Sequence, residues 1–513
     1  MTTTTLLSLY TPSNHEPEVL EQLLVARHDL LSRIVAKVSS CAVSKARHHQ
    51  LIVGPRGSGK THLLSLIHHR LSTIDDRERI VLAWLREDSW GLDSYQKLIE
   101  RTVDALGPRV SPAEPAIEQL KRLVGSRTLV IIVENLNDVF RRIKPEGQRA
   151  LRSLVQEWDQ IVLVAAAPSL FDGVSDHVEP FYGFFEINHL EELTLDEGAE
   201  LLAKVAVLRG HPRMRQAVQS ERGQQRLQVI RALAGGSPRI WMLFADCLDV
   251  ENLDELIPQF LKALDDLMPY YQARMRDIEG QQENIVSTLC ELRGAATVKD
   301  IAHRCEITSQ SAASQLIKLQ HKGYVRKVQL APELGSADER ESYFELREPL
   351  MRLCLEIKDR RAKPIKLIVD FLRHWFDPGV LLGSLDDSAD AQTACQLAMG
   401  FDIARFAGFA TETCATYRCA DSLGQLGVGL VRTIPLFLRL NDDAAGAWIS
   451  AWEAAAGQDD GMTVALRIMA TAAAWRRDGK RTNLMRLPSE ERELLIPLLL
   501  AAQTPLRRVR SGP

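Results

Sequence analysis

The chain has 513 residues, which at about 150 residues per domain suggests roughly three to four domains. Hydrophobic residues make up 45% and charged residues 25%, which excludes a largely disordered chain. Sixty-three Lys and Arg against 67 Asp and Glu leave a net charge of −4, so overall charge cannot grip nucleic acid and only a local basic patch could.

The first residues lack a basic stretch ahead of their short apolar run, and no apolar run reaches the length of a membrane span. The expectation is a cytoplasmic chain that does not use a membrane. The eight cysteines are scattered. Cys414 and Cys419 form the only close pair, with no histidine beside them, so buried thiols in a reducing compartment are expected rather than a metal site.

Residues 1–20 form a polar lead-in, and helical spacing of Leu20, Leu23, Leu24, Leu30, Leu31, Ile34 and Val35 predicts one or two amphipathic helices. Strands are expected at Gln50–Val53, Ile80–Leu85, Leu129–Val133 and Ile161–Ala167, with a short fifth at Phe185–Ile187. Helical patterns fall between them, at Lys60–Ser72, Ser94–Leu106, Ala116–Val124 and Gln148–Glu157. That alternation predicts an α/β core over residues 21–193, a parallel sheet with helices on both faces.

Residues 194–280 are expected to form a helical lid with connecting helices, in which His211–Gly223 is a polar connection and Pro258 and Pro269 are breaks. Residues 281–360 read as a compact helix-rich unit ending in two strands, and residues 361–513 as an all-α region. Leu436–Leu440, Trp448–Ala455 and Leu494–Ala502 are apolar helices of that region, suited to a protein partner, and Leu506–Arg510 is a basic tail.

The strongest motif is Gly54-Pro55-Arg56-Gly57-Ser58-Gly59-Lys60-Thr61, directly after the strand Leu51–Val53. It matches G-x-x-x-x-G-K-[ST] in the strand–loop–helix setting that a phosphate loop requires. Glycine lets backbone N–H groups turn toward a phosphate, and the helix start favours an anion. Lys60 is expected to reach the β- and γ-phosphates of ATP, and the Thr61 hydroxyl to ligate Mg²⁺.

Such a loop needs a carboxylate at the end of a neighbouring strand, and Leu129–Val133 ends in Glu134. Asn135 follows where many ATPases carry the glutamate that activates water. An amide cannot take that proton, so hydrolysis is expected to be slow or to use another group such as Asp138. Ser169, after the strand Ile161–Ala167, is a candidate γ-phosphate sensor. Ala234-Gly235-Gly236-Ser237-Pro238-Arg239 predicts a helix start that aims Arg239 back at the phosphates.

Taken together, Leu24-Val25-Ala26-Arg27-His28-Asp29, the phosphate loop, the strand ending in Glu134-Asn135 and the Gly235-Gly236-Ser237-Pro238-Arg239 turn resemble the AAA+/STAND-type P-loop ATPases. Within them the chain is most similar to the prokaryotic branch akin to archaeal origin-recognition initiators, over residues 20–360. The resemblance implies an ATPase core, a lid carrying a sensor arginine at Arg239, and a C-terminal winged helix. It assigns no arginine finger; Arg149 and Arg152 are candidates, alongside a plain surface role.

Within 281–360 the order is a helix at Ile285–Leu292, another at Thr297–Cys305, a turn, and a third capped by Thr308 over Ser309–Lys322. A strand then follows at Gly323–Val328, with a return at Ser342–Leu346. This looks like a winged helix-turn-helix with Ala302, Ile307, Leu316 and Leu319 in its core. Its third helix would present Ser309, Gln310, Ser311, Ser314, Gln315 and Lys318 to a major groove, with Arg326 on the following strand.

Between Arg293 and Val328 seven Lys and Arg face two acids, a net of +5, which suits phosphate contact. The segment Ala331–Glu341, by contrast, is acidic, and that suits a winged helix which binds protein. Two functions therefore stand side by side. One is an ATP-controlled switch coupled to DNA; the other is an ATP-dependent signalling or scaffold protein with no DNA contact. The expected partners are ATP with Mg²⁺, duplex DNA, a protein on the C-terminal helices, and further copies of this chain.

Overall fold

The computed structural model describes residues 15–44, 46–73, 79–86, 92–107, 114–220, 235–247, 253–292, 294–328 and 342–352, with residues 227, 230, 231 and 354 and parts of 445–499. The chain divides into two compact units. One holds residues up to Arg215 together with Gly236–Ala245; the other holds Gln216–Gly235 and the residues from Asp246 on.

The first unit opens with helices α1 (Pro17–Leu23) and α2 (His28–Ser40). Pro17 begins α1 where its missing N–H is harmless. Then follow β1 (Gln50–Val53), α3 (Lys60–Thr73), β2 (Ile80–Leu85), α4 (Tyr95–Leu106), α5 (Ala116–Val124), β3 (Thr128–Val133), α6 (Leu136–Glu157), β4 (Ile161–Ala167), the short α7 (Asp172–Ser175) and β5 (Glu186–His189). All strand pairs are parallel, in the order β2-β3-β4-β1-β5.

Side chains alternate between the two faces of each strand. Leu51, Val53, Ile131, Val133 and Leu163 therefore pack with Val103, Leu120, Phe140 and Leu151 of α4, α5 and α6. Ile52, Val130, Ile132 and Val164 pack with Leu31, Ile34, Leu64 and Ile67 of α2 and α3 on the other face. Every residue of β1, β3 and β4 is buried, as apolar strands covered on both faces must be.

Two local features depart from the sequence expectation. The helix after β3 begins at Leu136 rather than Gln148, and it is interrupted at Lys144 (φ 59°), the residue that Pro145 bars from helical geometry. That proline and the flanking charges hid its first turns. The polar stretch after α8 (Leu195–Arg209) is itself helical, as α9 (Pro212–Gln219), opened by Pro212. A reciprocal cap between Thr194 and Glu197 starts α8. The helix α10 (Pro238–Leu243) and a 3₁₀ turn at Phe244–Cys247 follow, with Trp241 fully buried.

The second unit contains α11 (Leu253–Arg276), α12 (Gly280–Leu292), β6 (Ala296–Thr297), α13 (Val298–Arg304), α14 (Ser309–His321), β7 (Val325–Lys327), β8 (Tyr343–Leu346), α15 (Asp460–Asp478) and α16 (Arg481–Met485). The three strands form an antiparallel sheet in the order β6-β8-β7. Neither Pro258 nor Pro269 breaks α11, contrary to expectation. A proline removes one hydrogen bond, and here buried Leu264, Leu267, Tyr271 and Arg274 hold the helix through it.

Arg274 is buried against Glu348 (2.7 Å), the carbonyl of Gly323 (2.9 Å) and the ring of Tyr324. The C-terminal helices close on the same unit. Ala295 N–H donates to the Met485 carbonyl (2.9 Å), and buried Arg492 pairs with Glu345 of β8.

Cys41, Cys290, Cys305 and Cys354 are buried free thiols. Among the described residues no helix is long and apolar enough to cross a membrane. The acidic segment Ala331–Glu341, Leu436–Leu440 and the tail Leu506–Arg510 lie outside the described residues, as do most of 448–455 and 494–502.

Candidate functional site

The loop Gly54–Thr61 joins the end of β1 to the start of α3, and Gly54 N–H donates to the Ala167 carbonyl at the end of β4 (3.2 Å). Gly57 and Gly59 take φ of 81° and 92°, conformations that side chains disfavour. The ammonium of buried Lys60 folds back over the loop, donating to the carbonyls of Gly54 (2.6 Å) and Pro55 (2.9 Å). Arg27, from the turn between α1 and α2, braces the loop from outside by donating to the Ser58 carbonyl (2.5 Å).

The strand order corrects one expectation. β3, which carries Glu134, does not neighbour β1, because β4 lies between them. The register still brings the strand ends to one edge: Val53 lies beside Ala167, and Val133 beside Ala165. Glu134 is buried and its N–H donates to the Leu85 carbonyl (3.1 Å). Asn135 sits at φ 50°, ψ 56°, the left-handed region that asparagine tolerates, and starts α6. Asp138 pairs with Arg141 at 2.8 Å.

The turn at Gly235–Arg239 rests on the loop. The Ser237 hydroxyl and the Arg239 N–H both approach the Gly57 carbonyl at 3.5 Å, the outer limit of a hydrogen bond. Gly236 is needed there, since a Cβ would stand 2.4 Å from Glu192 Cβ and 2.6 Å from the Leu193 carbonyl.

A cavity of about 170 Å³ joins these parts. Its lining combines the polar residues Arg27, Arg56, Lys60, Thr61, Asn135 and Arg239 with the apolar residues Leu20, Leu24, Val25, Leu193, Leu201 and Met242. Glu134, Asp138 and Ser169 are not among its lining residues. Burial lowers the His62 imidazole to about 4, and its Nε2 lies 2.8 Å from the Leu20 carbonyl, so a neutral ring ties α3 to α1.

Reasoning from sequence read Leu20 and Leu24 as a helical stripe and missed that they line a cavity, because the apolar partners from α8 and α10 are distant in the chain. Arg149 is exposed, whereas the Arg152 guanidinium lies 4.2 Å over the Phe184 ring.

In the second unit, the Thr308 hydroxyl caps α14, accepting from Ser311 N–H (3.2 Å). Ser309, Gln310, Ser314 and Lys318 are exposed, and so is Ile317 at 54%. Gln315 is engaged on both sides of its amide, by Gln282 (2.8 Å) and Gln281 (3.2 Å) of α12. Arg326 donates to Glu345 at 2.8 Å. Of the basic patch, Lys299, Arg304, Lys318 and Lys327 are exposed.

No protein-family model matches the chain, and no curated protein matches it. Among solved structures it is similar to the Aeropyrum pernix ORC1 protein in complex with DNA, at 14% identity over 67% of this chain and 97% of that one (TM-score 0.36). It is similar also to the Aeropyrum pernix ORC2 protein in its ADP form, at 15% identity over 67% and 97% (TM-score 0.39). A third is the Drosophila ORC bound to DNA, at 15% identity over 69% and 95% (TM-score 0.36). At such identities and TM-scores the likeness assigns neither a family nor an activity.

Proposed function

We propose that the chain is an ATP-binding, AAA+-like P-loop ATPase that acts as a nucleotide-controlled switch, coupled to duplex DNA through residues 281–360 folded as a winged helix. One observation carries the switch. The Ser237–Arg239 turn, far along the sequence, rests on the Gly57 carbonyl of the phosphate loop. That turn packs with the first unit, while the segments on both sides of it, Gln216–Gly235 and from Asp246, belong to the second. A shift of the turn with the bound nucleotide is the switch proposed here. A nucleotide drives that shift only by binding one arrangement more tightly than the other.

The residues fit the triphosphate and its metal. Gly57 and Gly59 hold the positive φ values that let the loop turn its N–H groups to a phosphate, and Lys60 already sits over loop carbonyls where its ammonium can turn to the β- and γ-phosphates. Thr61 and Glu134 are the hydroxyl and carboxylate to hold Mg²⁺, which supplies charge neutralisation on the phosphate oxygens. Arg239 lines the cavity, where it can read the γ-phosphate, and the apolar lining residues would take the base. Asn135 lines the cavity in place of the usual glutamate, so slow turnover is expected.

The rival function, with protein rather than DNA on α14, is favoured by the engaged Gln315 and Arg326 and by exposed Ile317. Hydrolysis and nucleotide affinity, measured with and without duplex, separate the two. Duplex-stimulated turnover that Lys60→Ala and Glu134→Gln abolish supports the coupled switch. Retained ATP binding with no duplex binding at low salt favours the protein partner. Equal affinity for ATP and ADP, unchanged by Arg239→Ala, would sink the sensing role.

A further inference from the structure

The edge of a sheet offers a row of backbone N–H and C=O groups to any second strand, and proteins usually blunt it with charge, proline or a covering element. The parallel sheet has β5 at one edge and β2 at the other. β5 is short and carries Glu186, Asn188 and His189. β2, Ile80-Val81-Leu82-Ala83-Trp84-Leu85, has neither charge nor proline, and Val81, Leu82 and Trp84 are only half-buried.

The bonds to β3 fix which way each backbone group of β2 points. The Arg79 carbonyl accepts from Thr128 N–H (2.7 Å) and the Leu85 carbonyl from Glu134 N–H (3.1 Å). Direction alternates along a strand, so Val81 and Ala83 also face β3, and the N–H and C=O of Ile80, Leu82 and Trp84 face outward. Among the described residues these outward groups have no partner. Their side chains pack on the α3 face of the sheet. There a cavity of about 370 Å³ is lined by His68, Leu71 and Ser72 of α3 and by Ile80 and Leu82.

We propose that β2 docks against β2 of a second copy of this chain, antiparallel and two-fold about Leu82. Leu82 is the middle of the outward residues, so this register pairs Leu82 with Leu82 and Ile80 with Trp84, and every outward N–H and C=O gains a partner. Val81 meets Ala83 on the other face. All these pairs are apolar, and an aromatic ring opposite a β-branched residue is a favourable cross-strand pair. The cavity beside Ile80 receives Trp84 of the second copy. Charge agrees with the register, which sets position 86 opposite position 78; the sequence has Arg86 and Glu78 there. The Arg86 guanidinium lies 5.0 Å over the Trp84 ring and has no carboxylate partner among the described residues. Such a contact closes at two copies and leaves neither β2 edge open. β3 and β4 stand between β2 and β1, so this surface is separate from the phosphate loop.

The test is sedimentation of the full chain over a series of concentrations, as wild type, Leu82→Pro and Leu82→Lys, with a melting temperature for each. The wild type should show a monomer–dimer equilibrium. Proline at 82 removes an N–H that points outward and spares the bonds to β3, while lysine charges the edge. Each should weaken the dimer about 10-fold or more, because position 82 is lost from both copies at once. A second measurement needs no disruption. Leu82→Cys should cross-link two copies on oxidation, since paired residues stand about 5.5 Å apart at Cα, within disulfide reach. Arg79→Cys, which this register sets far from Arg79 of the second copy, should not. A wild type that stays monomeric, a dimer unmoved by folded Leu82 variants, or species larger than a dimer overturns the proposal. So does cross-linking by Arg79→Cys but not by Leu82→Cys, which decides the matter if both disruptive variants fail to fold.

Discussion

His49 shows how one buried side chain sets a pH response. It is stacked on Phe184 at 4.0 Å, and its Nδ1 accepts from Leu163 N–H (3.0 Å), which a protonated ring could not do. Burial lowers it from 6.5 to about 4, so between those values the unfolded chain takes up a proton that the folded chain refuses. The resulting stability is present in full above pH 6.5 and is lost as pH falls through about 4. Its size is on the order of 3 kcal/mol. Urea unfolding at a series of pH values should show that slope, and His49→Gln should flatten it.

At the same scale the phosphate loop was legible residue by residue, because its chemistry demands glycines and a lysine at set spacing. Arg27 was not. Its neighbours Ser58 and Glu191 lie 31 and 164 residues away in the chain, so no local pattern could reveal what it holds.

Among elements, α14 offers the sharpest comparison. Lys318 is exposed, while Arg326 on β7 is committed to Glu345. If α14 meets duplex DNA, Lys318→Ala should weaken binding and lower the salt dependence by about one counterion. Arg326→Ala should instead act mainly on stability, because it strips a partner from buried Glu345. Salt titrations of duplex binding beside denaturation curves would separate the two, and a salt slope unmoved by Lys318→Ala would remove α14 from the interface.

The strands and most helices of the core were readable from apolar runs and 3.6-residue spacing, since burial on both faces enforces them. The early start of α6, the helix α9 and the unbroken α11 were not. In each, packing by distant residues outweighed a local proline or a polar composition.

For the whole molecule, the C-terminal helices are part of the second unit rather than an appendage. Arg492 and Glu345 are each buried, and Arg467 pairs with Glu491 of the same segment. Arg492→Ala should cost about 3 kcal/mol, the low end for a broken buried pair, since Arg326 still faces Glu345. The lost cooperativity should appear together in Ala296–Leu346 and in residues 460–492 when hydrogen exchange is followed along the chain.

By itself the sequence determined an α/β core with the phosphate-loop motif Gly54–Thr61, since such a motif after an apolar strand is local chemistry written in consecutive residues. It also limited any nucleic-acid grip to one basic segment, because charge is additive along a chain. Only the tertiary structure decided that β4 separates the loop from Glu134, that the turn at Ser237–Arg239 rests on Gly57, and that Gln315 and Arg326 already have partners. Those facts depend on contacts between residues far apart in the chain, which packing selects and local pattern does not record.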